Sequence, residues 1–147
     1  YPARGGPDRR AGRSHAALMK LLSLARDLRR RKARERQGLF VAEGVRAVEE
    51  LLHASAAAGV RVRGALAAPA LAGSPRGEAL RASLEAAHVP VLDVGERDFA
   101  TAADTEAPQG ILAIAETPAH ALDALGERLT AARPGDEARL VVLDGIQ

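Results

Sequence analysis

Residues 37–52 read QGLFVAEGVRAVEELL. After Gly38, Leu39-Phe40-Val41-Ala42 is a run of four apolar residues, the length and composition of a short buried strand. Glu43-Gly44 interrupts it, and glycine supplies the backbone freedom that a sharp strand-to-helix turn requires. From Val45 the period changes. Val45, Val48, Leu51 and Leu52 recur at helical spacing, one face of a helix that Gly59 can stop. A strand running directly into a helix is one unit of a layered α/β fold, and the chain repeats it.

Toward the C-terminus, Val60 to Ala68 reads as a second strand. Ser74-Pro75 opens a third helix with Leu80, Leu84 and Ala87 inward. Val89 to Val94 is the next strand, with Pro90 confined to its start. Glu96 to Ala103 is a short helix, and Pro108-Gln109-Gly110 turns into the strand Ile111 to Ala115. Strands alternating with helices predict an α/β domain with a largely parallel sheet. Thr117-Pro118 then opens a helix with Leu122, Leu125 and Leu129 on one face, and Arg133-Pro134-Gly135-Asp136 is a linker. Leu140-Val141-Val142-Leu143 is a last apolar strand, which needs cover on both faces. It either completes the first sheet or begins a second domain; the linker before it favours the second.

Toward the N-terminus, Leu18, Leu21, Leu22, Ala25 and Leu28 form one apolar stripe on a helix that Ser14 can cap. Past Leu28 the stripe ends, and Arg29-Arg30-Arg31-Lys32 with Arg34-Glu35-Arg36 put positive charge on every side. One helix is therefore expected as far as Gln37, its last two turns projecting from the core. Residues 1–13, rich in Gly, Pro and Arg, read as a disordered basic arm. The charge is polarised: residues 1–46 carry +9 and residues 47–147 carry −7, within a net +2. A basic head on an acidic body suggests a polyanionic partner.

Composition narrows the chemistry. The chain has no cysteine, so disulfides, Cys-based zinc sites and thiol catalysis are excluded. Aromatics are 2% (Tyr1, Phe40 and Phe99), which nearly removes base-stacking platforms. No apolar run approaches the ~18 residues of a membrane span, and the start, Tyr1-Pro2-Ala3-Arg4, lacks a signal peptide's apolar segment. A cytoplasmic location is expected. His15, His53, His88 and His120 share no metal-ligand spacing. Asp93, Asp104 and Asp144 flank strands without a His or Ser partner, so none receives an acid–base role. No phosphate-binding glycine loop occurs, which disfavours a nucleotide-binding enzyme.

Three segments together resemble the SpoU/TrmH family of RNA 2'-O-ribose methyltransferases. The first is the basic stretch followed by Gly38-Leu39-Phe40-Val41-Ala42-Glu43-Gly44 and Arg46, similar to the family's substrate-binding "G-L-F-x-x-E-G-x-R". The second is Asp104-Thr105-Glu106-Ala107-Pro108-Gln109-Gly110-Ile111-Leu112-Ala113, similar to the "T-x-x-x-Q-G" segment that closes that domain. The third is Leu140 to Gln147, similar to the first strand of the family's knotted catalytic domain. The resemblance implies a three-layer α/β/α sandwich of ribosomal-protein-like type over residues 14–116. A linker at 117–137 and the start of a truncated trefoil-knot methyltransferase domain at 138–147 would come after it. It also implies an enzyme that, at full length, methylates ribosomal or transfer RNA from S-adenosylmethionine and dimerises through the knot. The family's catalytic and cofactor-binding motifs lie past Gln147, so no catalytic, cofactor-binding or metal-binding residue carries over. A free-standing RNA-binding protein of ribosomal type is the alternative.

The RNA-binding candidates are Arg26, Arg29, Arg30, Arg31, Lys32, Arg34, Arg36, Arg46 and Gln109, and the expected partner is a structured RNA, ribosomal RNA first. Guanidinium forks match phosphate oxygens, and crowded cations repel until a polyanion neutralises them; the plainer reading is a solvated face. Arg46 sits in the first turn of a helix, where positive charge is mildly unfavourable, which favours a functional role. Gln109-Gly110 has a simple alternative as turn chemistry. Glu43 at a helix start reads first as a dipole partner. Residues 1–147 alone should neither bind S-adenosylmethionine nor methylate RNA. Calorimetry with the cofactor checks this, and micromolar binding would overturn the domain assignment.

Overall fold

A computed structural model describes residues 9–119 together with 126, 127 and 131. The expected helix after Thr117, the linker and the strand 140–143 lie outside the described residues. The chain divides into two units, Tyr1–Thr117 and Pro118–Gln147.

Among the described residues of the first unit nine elements and a 3-10 turn succeed one another: α1 Arg9–Leu28, α2 Arg31–Gln37, β1 Leu39–Glu43, α3 Val45–Ala58, β2 Val62–Ala67, the 3-10 turn Pro69–Gly73, α4 Pro75–Ala86, β3 Val91–Asp93, α5 Glu96–Ala102 and β4 Ile111–Glu116. The strands form one sheet in the order β1-β4-β2-β3. β4 pairs antiparallel with both β1 and β2, while β2 and β3 are parallel. The expected largely parallel sheet is therefore corrected to a mixed one. β1, β2 and β3 do share a direction, but the last strand inserts between β1 and β2 and runs against both. Strand–helix alternation says nothing about where a final strand will insert.

Side chains alternate across the sheet, as successive strand residues must. Leu112 and Ile114 of β4 and Leu66 of β2 face Leu22, Ala25 and Leu28 of α1 and Phe99 of α5. Ile111, Ala113 and Ala115 of β4 and Ala65 and Ala67 of β2 face Val48 and Leu51 of α3 and Leu80 and Leu84 of α4. Helices thus cover both faces of a mixed α/β sheet. Residues Ile111 to Ala115 are 0% exposed, the unbroken apolar run expected of a strand covered on both sides.

The chemistry at element ends agrees with the sequence. Ser74 Oγ accepts the Gly77 N–H at 3.1 Å and Pro75 occupies the first helical position of α4. Gly59 and Gly38 end α3 and α2 in the left-handed region. Arg81 grips Asp93 with two hydrogen bonds of 2.6 and 2.9 Å, tying α4 to β3. That hydrogen bonding holds the Asp93 carboxyl below its usual range. The stability it contributes is present above the ordinary carboxylate pKa and lost as pH falls through the depressed one. It is small, because the Asp93 side chain is largely exposed.

The N-terminus departs from expectation three times. Arg9 to Arg13, assigned to the arm 1–13, are helical; Ala and Arg are good helix formers, and the lone Gly12 weakens the helix without ending it. The single basic helix to Gln37 is two helices. Arg30 is extended (φ −85°, ψ 127°) and caps α2. Residues 29–36 are also not wholly outside the core: Ala33 is 3% exposed.

Gly77 fixes how closely the turn before α4 approaches that helix: a Cβ there would lie 2.0 Å from the Leu71 carbonyl oxygen. Gly77→Ala should cost about 1–3 kcal/mol by overpacking. Gly73→Ala, whose Cβ meets nothing within 4 Å, should be close to neutral. Urea unfolding of both variants checks the pair; equal stability would mean that the turn does not sit against α4.

Candidate nucleic-acid interface

Seven of the nine candidates, Arg26, Arg29, Arg30, Arg31, Lys32, Arg34 and Arg36, gather where α1 breaks into α2. The break leaves the last α1 carbonyls without helical partners, and Arg34 replaces them. Its guanidinium donates to Leu28 O at 2.9 Å and Arg29 O at 2.8 Å. Asp27 holds the other side of the corner. Its carboxylate accepts from Arg30 and Arg36 and, at 2.8 Å, from Gln37 Nε2. Asp27 is the one carboxylate between residues 9 and 34, which was the available signal for this role.

Arg26 and Arg29 reach across to α5. Arg26 donates to Thr101 Oγ1 at 2.6 Å and to Asp98 Oδ1 at 3.2 Å. Arg29 is held more loosely, by Asp104 Oδ1 at 3.3 Å and Thr101 O at 3.4 Å. Arg31 pairs with Glu35 one turn on, at 2.7 Å. The expectation that these cations repel until a polyanion arrives is corrected in part: Asp27, Glu35, Asp98 and Asp104 pair with five of the seven within the protein. Two of those acids stand more than seventy residues away in sequence, so the basic run alone could not reveal them. Seven cations against four carboxylates leave an excess of three positive charges. The pairs are exposed, and exposed pairs contribute ~0–1 kcal/mol each, so a phosphate can replace a carboxylate at little cost. Lys32 has no ion pair or hydrogen bond among the described residues and is exposed.

Arg46 and Gln109 stand apart from the corner but are linked to it. Asp104, which holds Arg29, donates its backbone N–H to Glu43 Oε2 at 2.7 Å, and Glu43 also accepts from the Thr105 N–H and hydroxyl. Glu43 therefore secures the 104–105 loop; the expected partnership with the α3 dipole is not what its carboxylate does. That role belongs to Gln109, whose Oε1 accepts the Val45 N–H at 2.9 Å, at a helix start where Gly44 has no side chain to offer. Gly44 has φ +94°, as the turn demands, and its α-carbon sits so near Gln109 that a Cβ would meet Oε1 at 3.1 Å. Gln109 is thus a cap from a strand's threshold sixty-four residues away, a role that its turn signature did not disclose. Arg46 is exposed on the first turn of α3, with no hydrogen bond or ion pair among the described residues. Among those residues no group of three His, Asp or Glu is placed to hold a metal ion, and no helix is long and apolar enough to cross a membrane.

Gln109→Ala should lower stability by about 1 kcal/mol, the usual loss for an N-cap, through the freed Val45 N–H. Arg46→Gln should leave stability unchanged. Thermal melts separate the two; an unaffected Gln109→Ala melt would mean that the cap contributes nothing.

In fold the chain is similar to the crystal structure of an RNA 2'-O ribose methyltransferase (27% identity, TM-score 0.57), over 69% of this chain and 36% of that one. It is likewise similar to an AdoMet-bound rRNA methyltransferase from Sinorhizobium meliloti (24% identity, TM-score 0.53), over 69% and 35%. A third is the SpoU methyltransferase AviRb from Streptomyces viridochromogenes in complex with AdoMet (24% identity, TM-score 0.50), over 69% and 34%. The matched part spans about a third of the length of these structures. No curated protein matches the chain. Residues 22–113 match the MRM3-like substrate binding domain, a span that contains all nine candidate residues and runs from within α1 to within β4. The chain belongs to the MRM3-like substrate-binding domain family, in agreement with its resemblance to the SpoU/TrmH RNA 2'-O-ribose methyltransferases.

Proposed function

We propose that residues 14–116 are the RNA-recognition domain of an S-adenosylmethionine-dependent ribose 2'-O-methyltransferase acting on ribosomal or transfer RNA. The observation that carries this is the substrate-binding family match over residues 22–113, because the same residues form a corner with excess positive charge. Methyl transfer and cofactor binding belong, in this reading, to the part of the relatives that the match does not span. Dimerisation through that part and a cytoplasmic location go with it. A sheet with helices on both faces agrees with the ribosomal-protein-like α/β/α sandwich that the resemblance implies.

The contacts divide the labour. Arg34 and Asp27 build the corner. Arg26 docks α1 on α5. Arg29, Arg30, Arg31, Lys32 and Arg36 are the exposed cations that phosphates can reach. Phosphate contacts position RNA without reading its sequence, so selectivity must come from RNA shape and from groups beside the corner, Arg46 first among them. Gln109 acts by setting the start of the helix that carries Arg46.

With an excess of three charges, roughly three phosphates are neutralised, and log affinity should fall with log salt at a slope of about −2 to −3. Arg29→Gln, Arg30→Gln and Arg31→Gln together should make the slope shallower by about 2 and weaken binding to every RNA alike. Arg46→Gln should weaken a preferred RNA more than a random one. Salt titrations of binding, with melts alongside, check all three statements. Unchanged affinity and slope in the triple variant would reduce the corner to a solvated face.

A further inference from the structure

Two arginines outside the corner belong to no motif. Arg61 and Arg63 flank Val62 at the start of β2, in the part of the chain whose net charge is negative. Both approach one carboxylate oxygen, Glu116 Oε1 at the end of β4, Arg61 Nη1 at 3.8 Å and Arg63 Nε at 3.1 Å. Two guanidinium groups against one carboxylate leave one positive charge over. Sharing a single oxygen keeps the two groups close together. Their side chains are 70% and 48% exposed, open to a partner in solution.

A bulge in β2 aims this pair. Gly64 faces α1, since a Cβ there would meet Leu21 Cδ2 at 3.2 Å, whereas Val62 packs into the cluster under α3 and α4. Residues two apart share a face of a regular strand, so in a regular strand Val62 would leave that cluster and Arg63 would point into it. Instead the register shifts between Val62 and Gly64, and Arg63 is the extra residue that a bulge re-aims. Glu116 lies on the α1 face as well. Leu112 and Ile114 face α1, and Glu116 follows them in the same alternation. Packing explains Val62 and Gly64, but it does not ask for arginine at 61 or 63.

We propose that Arg61 and Arg63 clamp one phosphate of the RNA, so that its backbone runs from α2 past the end of β4 to the start of β2. The proposal rests on the RNA-recognition reading and lengthens its contact surface. Backbone bonds make the path continuous. Gly38 ends α2, whose last turn carries Arg34 and Arg36, and its carbonyl accepts the Thr117 N–H at 2.8 Å. The neighbouring Glu116 N–H donates to Arg61 O at 2.9 Å. The starts of β1 and β2 are thus two strand spacings apart, roughly 10 Å, which a short stretch of RNA backbone crosses. Arg63 meets Glu116 through Nε, which leaves its two terminal nitrogens for phosphate oxygens, a fork that fits them. Arg61, at 3.8 Å, is beyond hydrogen-bond reach of Glu116 and turns to a phosphate without breaking a bond to it. The same charge would attract an acidic peptide; the shared face and the continuity with the corner favour RNA.

The test uses the 147-residue chain, a hairpin RNA and inorganic phosphate. Arg61→Gln with Arg63→Gln should weaken the RNA roughly five- to eightfold at about 0.1 M salt and make the log–log salt slope shallower by about 0.7–0.9, the effect of one phosphate contact. The clamp adds this amount to the slope that the corner alone sets. Glu116→Gln should do the opposite and tighten the RNA, because the carboxylate no longer competes for the arginines. If these variants shift only the thermal melt and leave RNA binding alone, the pair is structural and the proposal is overturned. Arg76→Gln removes an exposed arginine from α4, across the sheet, and should cost less affinity per charge; an equal loss per charge would reduce the effect to net charge and overturn the clamp. Polyglutamate of matched charge binding as tightly as the RNA overturns the choice of partner. If the wild-type chain binds no RNA, the RNA-recognition reading fails, while inorganic phosphate still decides the clamp on its own. At millimolar concentrations it should shift the Arg61 and Arg63 Nε–H resonances saturably, and no shift overturns the proposal.

Discussion

Five consecutive residues of β4, Ile111 to Ala115, have no contact with water, and the rest of the domain is arranged to keep them so. A strand buried on both faces and both edges has to find neighbours in every direction. β1 and β2 satisfy its backbone; α1 and α5 cover one face and α3 and α4 the other. The second face is lined by Ala65, Ala67, Ala113 and Ala115, small side chains against which Val48, Leu51, Leu80 and Leu84 supply the bulk. On this face large residues on helices meet small ones on strands, with Phe40 at its margin, while the one fully buried aromatic, Phe99, fills the other face.

Antiparallel insertion of β4 also brings the functional surface together. It sets Gly110 beside the end of β1, so that Gln109 reaches the start of α3, and it leaves β1 at the edge. The loop leading to it, residues 104–105, is held by Glu43, and through Asp104 that loop reaches Arg29. One line of contacts thus runs from the basic corner to the helix that carries Arg46. The residues that grip one another along it are mostly those that the family resemblance singled out, and several serve structure first: Glu43 as a loop anchor, Gln109 as a cap, Arg34 as a replacement for helix hydrogen bonds.

The basic corner is consequently not a bare array of charge. Each arginine has an internal acceptor, which orients it in the absence of any ligand. Exposed ion pairs are weak enough to exchange, and phosphate binding then requires a change of partner rather than the ordering of a free side chain, whose cost can approach ~2 kcal/mol for arginine.

What the sequence determined by itself was everything set by local rules. Apolar runs, helical spacing, Ser74-Pro75 and the glycines at 38, 44 and 59 located the strands β1, β2 and β4 and the helices α3, α4 and α5 to within a few residues, because caps, turns and side-chain periods act over a handful of neighbours. The concentration of arginine at residues 26–36 and the short motifs around Gly44 and Gln109 were equally legible. Tertiary structure alone decided the direction and position of β4, the break at Arg30, the burial of Ala33, the neutralising acids Asp98 and Asp104, and the open edge of β1. Each of these depends on contacts between residues tens of positions apart, and such contacts leave no period or punctuation in the chain for a local reading to find.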